Sequence, residues 1–531
     1  MSRPRAKSER TRWVRGWLAG KVAGVFAAGG LLYWLTRSRW LDDWDSVQFA
    51  LGVTDFNLFQ HQPHPPGYPL YILSGWLGGL MGSSPQSALV SVSCLSGGLF
   101  LAAWFYVAAR RVGESTAWVA TGMLAAAPIV WMTATKVLTD MPASAFMAVQ
   151  LGLVFRYLDH RQRGWLVGAA IAGAIGVGLR PQNVLAVGLM LLGGVAVAGG
   201  RKRDAWMAGA VLGAGCLAWL VPTMWLQAGT PQADGDWLAY PARVLEQWKW
   251  RLDKPTVFVG AGNWSWDYLL RRTYRHTLKA WYVLGMGWGA DQGMLGWSCA
   301  GLYGLGLWRY VGRFREQGSR HRALWRHALW WAPVYVLTIF ICLPPSPRYY
   351  LPIAPLWVLP AASGLLELPG RWRMLAGLLP ALMWVTGVGL ALEGHTTPPP
   401  PVRLVERVKH LHEPEQWGKV ALLLSQSRRH ADYYAPEFYL NSPGAGRPKQ
   451  ERLEEAVAIY TDDAQFLEKT GWQGMELKEV ARFERSRLIH SKHPEVSLWQ
   501  VRPADSARAR HPINGADRAG DGRHRPGTGR D

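Results

Sequence analysis

The sequence predicts a polytopic all-α membrane protein carrying a small α/β domain at its C-terminal end. Three observations predict it. Hydrophobic residues make up 49% of 531, and they gather in blocks of roughly 20, the length that crosses about 30 Å of hydrocarbon. No such block follows residue 392, where short β-like runs alternate with polar helical ones, so a mean hydropathy near zero averages two unlike parts. The excess of Lys and Arg (58 against 37 Asp and Glu, net charge +21) sits largely in short turns between the apolar blocks, which is an orientation signal.

The elements follow in order. Residues 1–16, MSRPRAKSERTRWVRG, are basic and read as a cytoplasmic N-terminus ahead of an uncleaved first span, about Trp17 to Thr36. A polar outer loop covers 37–86. Within it YPLYILSGWLGGLMG is apolar but too short to span, and reads as a helix lying in the interface. Further spans are expected at about Ser87–Ala109, Ser115–Thr135, Met141–Leu158, Trp165–Gly178, Val184–Ala198 and Ala205–Leu226. A long outer loop, 227–291, comes next, and then spans at about Met294–Tyr310, Ala328–Leu343, Tyr350–Leu366 and Leu375–Leu392. That makes about 11 spans over 17–392. The basic turns ARR, DHRQR, GGRKR, RFREQGSRHR and PGRWR then all fall on the cytoplasmic side; counting the short apolar run as a span would scatter them. A stiff Pro-rich linker, 393–402, leads to an extracytoplasmic α/β domain, 403–502, with strands in GKVALLLSQS, AVAIYTDD, ARFERSRLIHS and VSLWQV. A polar, low-complexity tail, 503–531, is expected to be disordered.

The composition also excludes classes of function. The basic balance is not a nucleic-acid footprint, because it tracks the turns between spans and the tail. The 31 tryptophans suit the headgroup zone, where ring and N–H are both satisfied. The four cysteines, Cys94, Cys216, Cys299 and Cys342, lie in apolar blocks without metal-ligand spacing and read as small buried hydrophobes.

This topology brings polar side chains from four separate stretches to the outer membrane edge. They are Asp42, Asp43 and Asp45, with His61 and His64; Lys136 and Asp140 in ATKVLTDMP; Arg180 in GLRPQN; and Arg348 with Tyr349 in PPSPRYYLP. Charge at this depth is costly and is usually paired or functional. Each has a plainer reading. DDWDS is a solvated turn or a carboxylate base held at the surface. Pro65, Pro66, Gly67 and Tyr68 punctuate two helices or lock a loop. Asp140 caps the span that follows it, with or without a second role. Arg348 snorkels or clamps an anion. His61 and His64, three apart across a proline, are not a helical ligand pair, and no metal site is predicted.

In the order DSVQFALG, HPPGYPLYI, KVLTDMP, GLRPQ and PRYYLPIAPL, the chain resembles the GT-C superfamily of membrane glycosyltransferases. It looks most like the protein O-mannosyltransferase-like family marked by HPPGYPLY, and more distantly like the dolichyl-phosphate-mannose protein mannosyltransferases and the aminoarabinose lipid A transferases. The resemblance covers roughly Trp13 to Leu392. It implies a GT-C-like fold and transfer of a sugar from a polyprenyl-phosphate-linked donor to a protein, lipid or glycan acceptor; the basic N-terminal architecture adds the expectation of a bacterial inner membrane. It implies a catalytic Asp in the first outer loop, best matched by Asp45. Where relatives carry a Glu three residues after that Asp, this chain has Gln48, so a second carboxylate would come from Asp42, Asp43 or Asp140, or be absent. Arg348, His64, Arg180, Lys136 and Tyr349 are the candidates for the donor phosphate, and a divalent metal enters only if the donor is a diphosphate.

The residues support the same donor class separately. The chain has no sizeable cytoplasmic domain and no nucleotide-binding motif, and its polar mass faces outward, so a glycosyl donor there would arrive attached to lipid. A lipid or sugar transporter or flippase, and an inactive scaffold of the same fold, are the rival readings; no internal repeat favours the first.

Overall fold

A computed structural model describes residues 4–253, 265–288, 293–441, 453, 455–486 and 494–504. Within them the chain divides into two compact units, Met1–Pro399 with Arg485–Pro494, and Pro400–Glu484 with Glu495–Asp531. The expected tail beyond residue 504 and part of the long outer loop, 254–264 and 289–292, lie outside the described residues.

The first unit is helical throughout. Among the described residues six segments are long and apolar enough to cross a membrane: Gly16–Leu35, Pro85–Arg111, Asp140–His160, Lys202–Ala228, Pro347–Leu366 and Gly370–Leu411. A seventh forms if Glu114–Ala126 and Pro128–Thr135, bent by 62° at Ala127, count as one. Pro128 causes the break, because it has no N–H to continue the first helix. Helices also lie at the other expected positions, Arg163–Leu179, Val184–Val197, Gly293–Gly312 and Ser319–Cys342, but they are shorter or less uniformly apolar. The first helix starts earlier than expected, at Pro4, so part of the basic N-terminal segment is helical.

Burial within this unit is graded. In the most apolar 18 residues of Pro347–Leu366, 89% are buried, against 11% in those of Lys202–Ala228, which leaves Trp206, Leu217, Val221, Trp225 and Leu226 outward. An apolar perimeter of that extent requires lipid rather than water around it. Helix pairs approach closely through small residues: a Cβ on Gly98 would strike the backbone of Phe26 and Gly30, and one on Gly364 the backbone of Gly306.

The segment expected to form the first outer loop, 37–86, holds helices Trp44–Thr54 and Pro69–Leu80 around a short 3-10 turn, Leu58–Gln60. The 12-residue Pro69–Leu80 helix is about 18 Å long, too short to span. It buries Tyr71, Ile72, Gly75 and Gly78, and turns Leu73, Trp76, Leu77 and Leu80 outward, with Met81 just beyond its end, as an interfacial helix would.

The second unit is a five-stranded sheet in the order β2-β1-β3-β5-β4, with β1 Val420–Leu423, β2 Tyr439–Asn441, β3 Ala458–Thr461, β4 Met475–Glu484 and β5 Glu495–Pro503. β2, β1 and β3 run parallel; β5 is antiparallel to β3 and β4. β1 is apolar on both faces because both are covered. Helix Pro400–Leu411 packs Leu404, Val405 and Val408 with Val420, Leu422, Val496 and Leu498; Phe466 covers Leu423 and Val501 on the other face. The expected linker is mostly helical, since one helix runs to Thr396 and the next starts at Pro400, where a proline costs no hydrogen bond. The sheet also reaches Pro503, which the sequence reading assigned to the tail. β2 was not expected; its three residues are too few for an alternating pattern to show.

Candidate active site

Backbone geometry sets the site up. In the HPPGYP segment Gly67 (φ 89°) and Tyr68 (φ 48°) are both left-handed. Position 67 needs a glycine on two counts, the positive φ and the Phe56 and Leu58 side chains that a Cβ would crowd. The Gln62–Pro63 and Pro65–Pro66 bonds are cis. Tyr240, from the long segment after helix Lys202–Ala228, donates its hydroxyl to the Pro66 carbonyl at 2.7 Å. The chain therefore turns sharply, and His64 and Tyr68 meet with Nε2 and Oη 2.9 Å apart, packed on Phe49. Burial pushes the Tyr68 hydroxyl above its ordinary value and so keeps it protonated.

Beside this turn lies a cavity of about 610 Å³. Asp43, Asp45, His64, Tyr68, Asp140, Arg180, Arg348 and Tyr349 all line it. Asp45 sits in the first turn of Trp44–Thr54, and Arg348 donates from Nη2 to its Oδ2 at 2.5 Å. Arg180, at the break between two helices, lies 2.9 Å from Asp140 and donates to Thr139 Oγ1 at 3.1 Å. The ring of Tyr349 is shared by both guanidinium groups, with Arg180 5.2 Å and Arg348 5.3 Å from its centroid. Three basic side chains that sequence reasoning missed, Arg251, Arg275 and Lys279, also line the cavity, as does Trp250. Trp250 and Arg251 belong to helix Ala239–Asp253, and Arg275 and Lys279 to the π-helical turn Arg275–Gly285. The mixture of aromatic and basic residues in the long loop was visible in the sequence, but their shared destination was not.

Other expected residues play different parts. Asp42 is fully buried, which rules out a solvated turn there, and it does not line the cavity. Its partners are Lys136, at 4.0 Å, and Arg485, which makes a short ion pair with it. Lys136 also approaches Asp43 at 3.5 Å, so it serves the acidic loop rather than the cavity. Arg485 further donates to the Gly394 carbonyl at 2.9 Å, and the Ser486 N–H to Glu393 at 2.9 Å. Gln48 is buried and is not among the cavity-lining residues. Pro65 and Pro66 shape the turn, and His61 ends the 3-10 turn in a left-handed conformation.

Burial pushes the Asp42 carboxyl up, but Lys136 and Arg485 outweigh it, with Ser38 hydrogen-bonded as well, and hold it below the usual carboxylate range. A depressed acid stabilises the fold fully above its unfolded value, about pH 4, and loses that contribution as pH falls through the folded value. Arg485→Met should therefore lower stability at pH 7 by about 3 kcal/mol at most, because Lys136 stays as a partner. Thermal unfolding of the purified chain at pH 7 and pH 3 checks this: the variant should lose much of the acid sensitivity that the wild type shows.

Among the described residues no group of three or more His, Cys, Asp or Glu side chains is placed to hold a metal. Asp45 and Asp140 each engage an arginine, so this set of carboxylates does not fit a divalent ion.

Comparison with known proteins bears on the fold. Residues 63–225 match the dolichyl-phosphate-mannose-protein mannosyltransferase family. ArnT from Cupriavidus metallidurans, bound to undecaprenyl phosphate, superposes with a TM-score of 0.54 at 16% identity, covering 91% of this chain and 98% of that one. The chain has the GT-C glycosyltransferase fold. The apo state of the same ArnT gives a TM-score of 0.51 at 15% identity, over 92% of this chain and 98% of that one. The Archaeoglobus fulgidus oligosaccharyltransferase tethered to an acceptor peptide gives 0.50 at 11% identity, over 83% and 69%. No curated protein sequence matches the chain. Within the GT-C fold, the family match takes in the HPPGYPLY turn, KVLTDMP and GLRPQ, while Asp45 and Arg348 lie outside it.

Proposed function

We propose that this chain is a membrane glycosyltransferase that moves a sugar from a polyprenyl-phosphate-linked donor to an acceptor hydroxyl on the extracytoplasmic side. The observation that carries the reading is a single cavity in which Asp45 meets Arg348 and further cations gather around them. A carboxylate suits proton abstraction, and clustered guanidinium groups suit a phosphate leaving group.

In the proposed reaction the acceptor oxygen attacks the anomeric carbon as its proton passes to Asp45. The bond from that carbon to the phosphate oxygen breaks, and its electron pair stays on the lipid phosphate. Arg348 and Arg180 meet the added charge, supported by Arg251, Arg275 and Lys279. One displacement inverts the anomeric centre. Arg348 rests on Asp45, and a carboxylate hydrogen-bonded to a guanidinium is a poorer base. The donor phosphate competes for Arg348, so donor binding releases the base and precedes acceptor binding. The interfacial helix Pro69–Leu80 provides an apolar surface next to the turn that bears His64 and Tyr68, suited to a long isoprenoid tail. Eleven spans, a cytoplasmic N-terminus and an extracytoplasmic C-terminal domain in a bacterial plasma membrane complete the reading.

The test is a transfer assay in membranes with radiolabelled polyprenyl-phosphate sugars. Label moving to a macromolecular or lipid acceptor supports the reading. A folded protein that transfers from none of the donors overturns it.

A further inference from the structure

The second unit contains a cleft that the transferase reading does not use. β5 pairs with β3 as far as Thr461↔Trp499, then continues with β4 alone to Glu484↔Glu495. The β4–β5 ribbon thus projects past the ends of the parallel strands and forms a wall. The segment after β3, leading into helix Phe466–Thr470, forms the opposite wall. The floor is the loop after β1: Asp462 accepts the backbone N–H groups of Ser425 at 2.7 Å and Ser427 at 2.6 Å, which fixes Gln426 between them. Open α/β sheets bind ligands at the carboxyl ends of their parallel strands, and this cleft lies there. Its volume, about 620 Å³, falls within the range of small-ligand sites.

The lining defines the ligand class. Trp499 is half-exposed in the cleft, and no described residue takes its indole N–H. Around it stand short polar groups, Gln426, Gln465, Ser497 and Glu479. The cations present already have partners: Lys469 lies 2.6 Å from Asp463 and Arg482 2.6 Å from Glu495. Acids outnumber bases in the lining, so phosphorylated ligands and anionic lipid are disfavoured. One aromatic face flanked by amides and carboxylates matches an uncharged pyranose, which has apolar C–H faces and hydroxyls at its rim.

We propose that the cleft between Trp499 and Gln426 is a glycan-binding site for neutral oligosaccharides. Hydroxyls donate to Glu479 and to the amide oxygen of Gln426, while a sugar face stacks on Trp499. The site does not depend on the transferase reading.

The test uses the full chain in detergent on surfaces bearing mannotetraose, cellotetraose or chitotetraose, with tetraphosphate as the anionic control. At least one glycan should be retained, and Trp499→Ala should weaken it by about tenfold, the equivalent of roughly 1.4 kcal/mol. Trp499→Tyr should recover part of the loss. Gln426→Ala, on a surface loop, gives the same reading if Trp499→Ala fails to fold. Asp45→Asn should bind as the wild type does, which separates this site from the transfer cavity. Retention of none of the three glycans, equal binding by the Trp499 and Gln426 variants, or preference for tetraphosphate overturns the proposal.

Discussion

Asp45→Asn is expected to slow sugar transfer by about 10²- to 10⁴-fold while the protein is still made and folded. Asparagine keeps the shape of the side chain and loses the proton acceptor. The carboxylate lines the cavity without being a core group and is engaged by Arg348, so the fold should tolerate the change. The variant carries a second, less obvious consequence. Arg348 no longer faces a full charge, so it is freer to meet the donor phosphate. The donor should therefore bind as well as before or more tightly, while kcat collapses. Single-turnover transfer in proteoliposomes, with donor binding measured separately, checks both halves. Normal transfer by Asp45→Asn would remove the assignment of the base. Loss of donor binding along with transfer would make Asp45 part of the binding site instead.

Arg348→Met is expected to lower kcat by about 10²- to 10³-fold, the effect of removing one pre-set donor to a developing oxyanion. Donor affinity should fall too, because the guanidinium meets the phosphate in the ground state as well. Arg348→Lys should restore only part of this. An ammonium keeps the charge but gives up the planar fork and the contact with the Tyr349 ring. Asp45 and Arg348 touch, so their effects should not add: the double variant should be little worse than the poorer single one. Additive losses would mean that the pair acts as two independent groups, and that the donor does not release the base.

Most of the site's local chemistry was legible in the sequence. HPPGYP announced a rigid turn, because proline fixes φ and glycine alone enters some regions freely. Asp45, Asp140, Arg180 and Arg348 could be singled out because ionised side chains at a membrane edge need a reason to be there. Their pairing could not. Asp45 and Arg348 are 303 positions apart, and no periodic pattern links two loops at that separation. Asp42 shows the limit more sharply. It looked interchangeable with its neighbours Asp43 and Asp45, yet it is the fully buried one, and its partner Arg485 lies 443 positions away. Gln48 is a similar case: its place in the order of residues suggested a missing catalytic acid, while its burial puts it outside the cavity lining.

The sequence by itself determined the class of the protein. Runs of apolar residues long enough to cross a bilayer, and basic turns on one side of them, are local properties that can be counted along a chain. It also singled out Asp45, Asp140, Arg180 and Arg348, which line one cavity. Only the tertiary structure decided which acid meets which base, that Arg251, Arg275 and Lys279 share the cavity with Arg348, and that Asp42 and Lys136 support the loop instead of lining the site. The reason is physical. Ion pairing and burial depend on distance and dielectric in three dimensions, and those are fixed by helix packing between segments hundreds of residues apart.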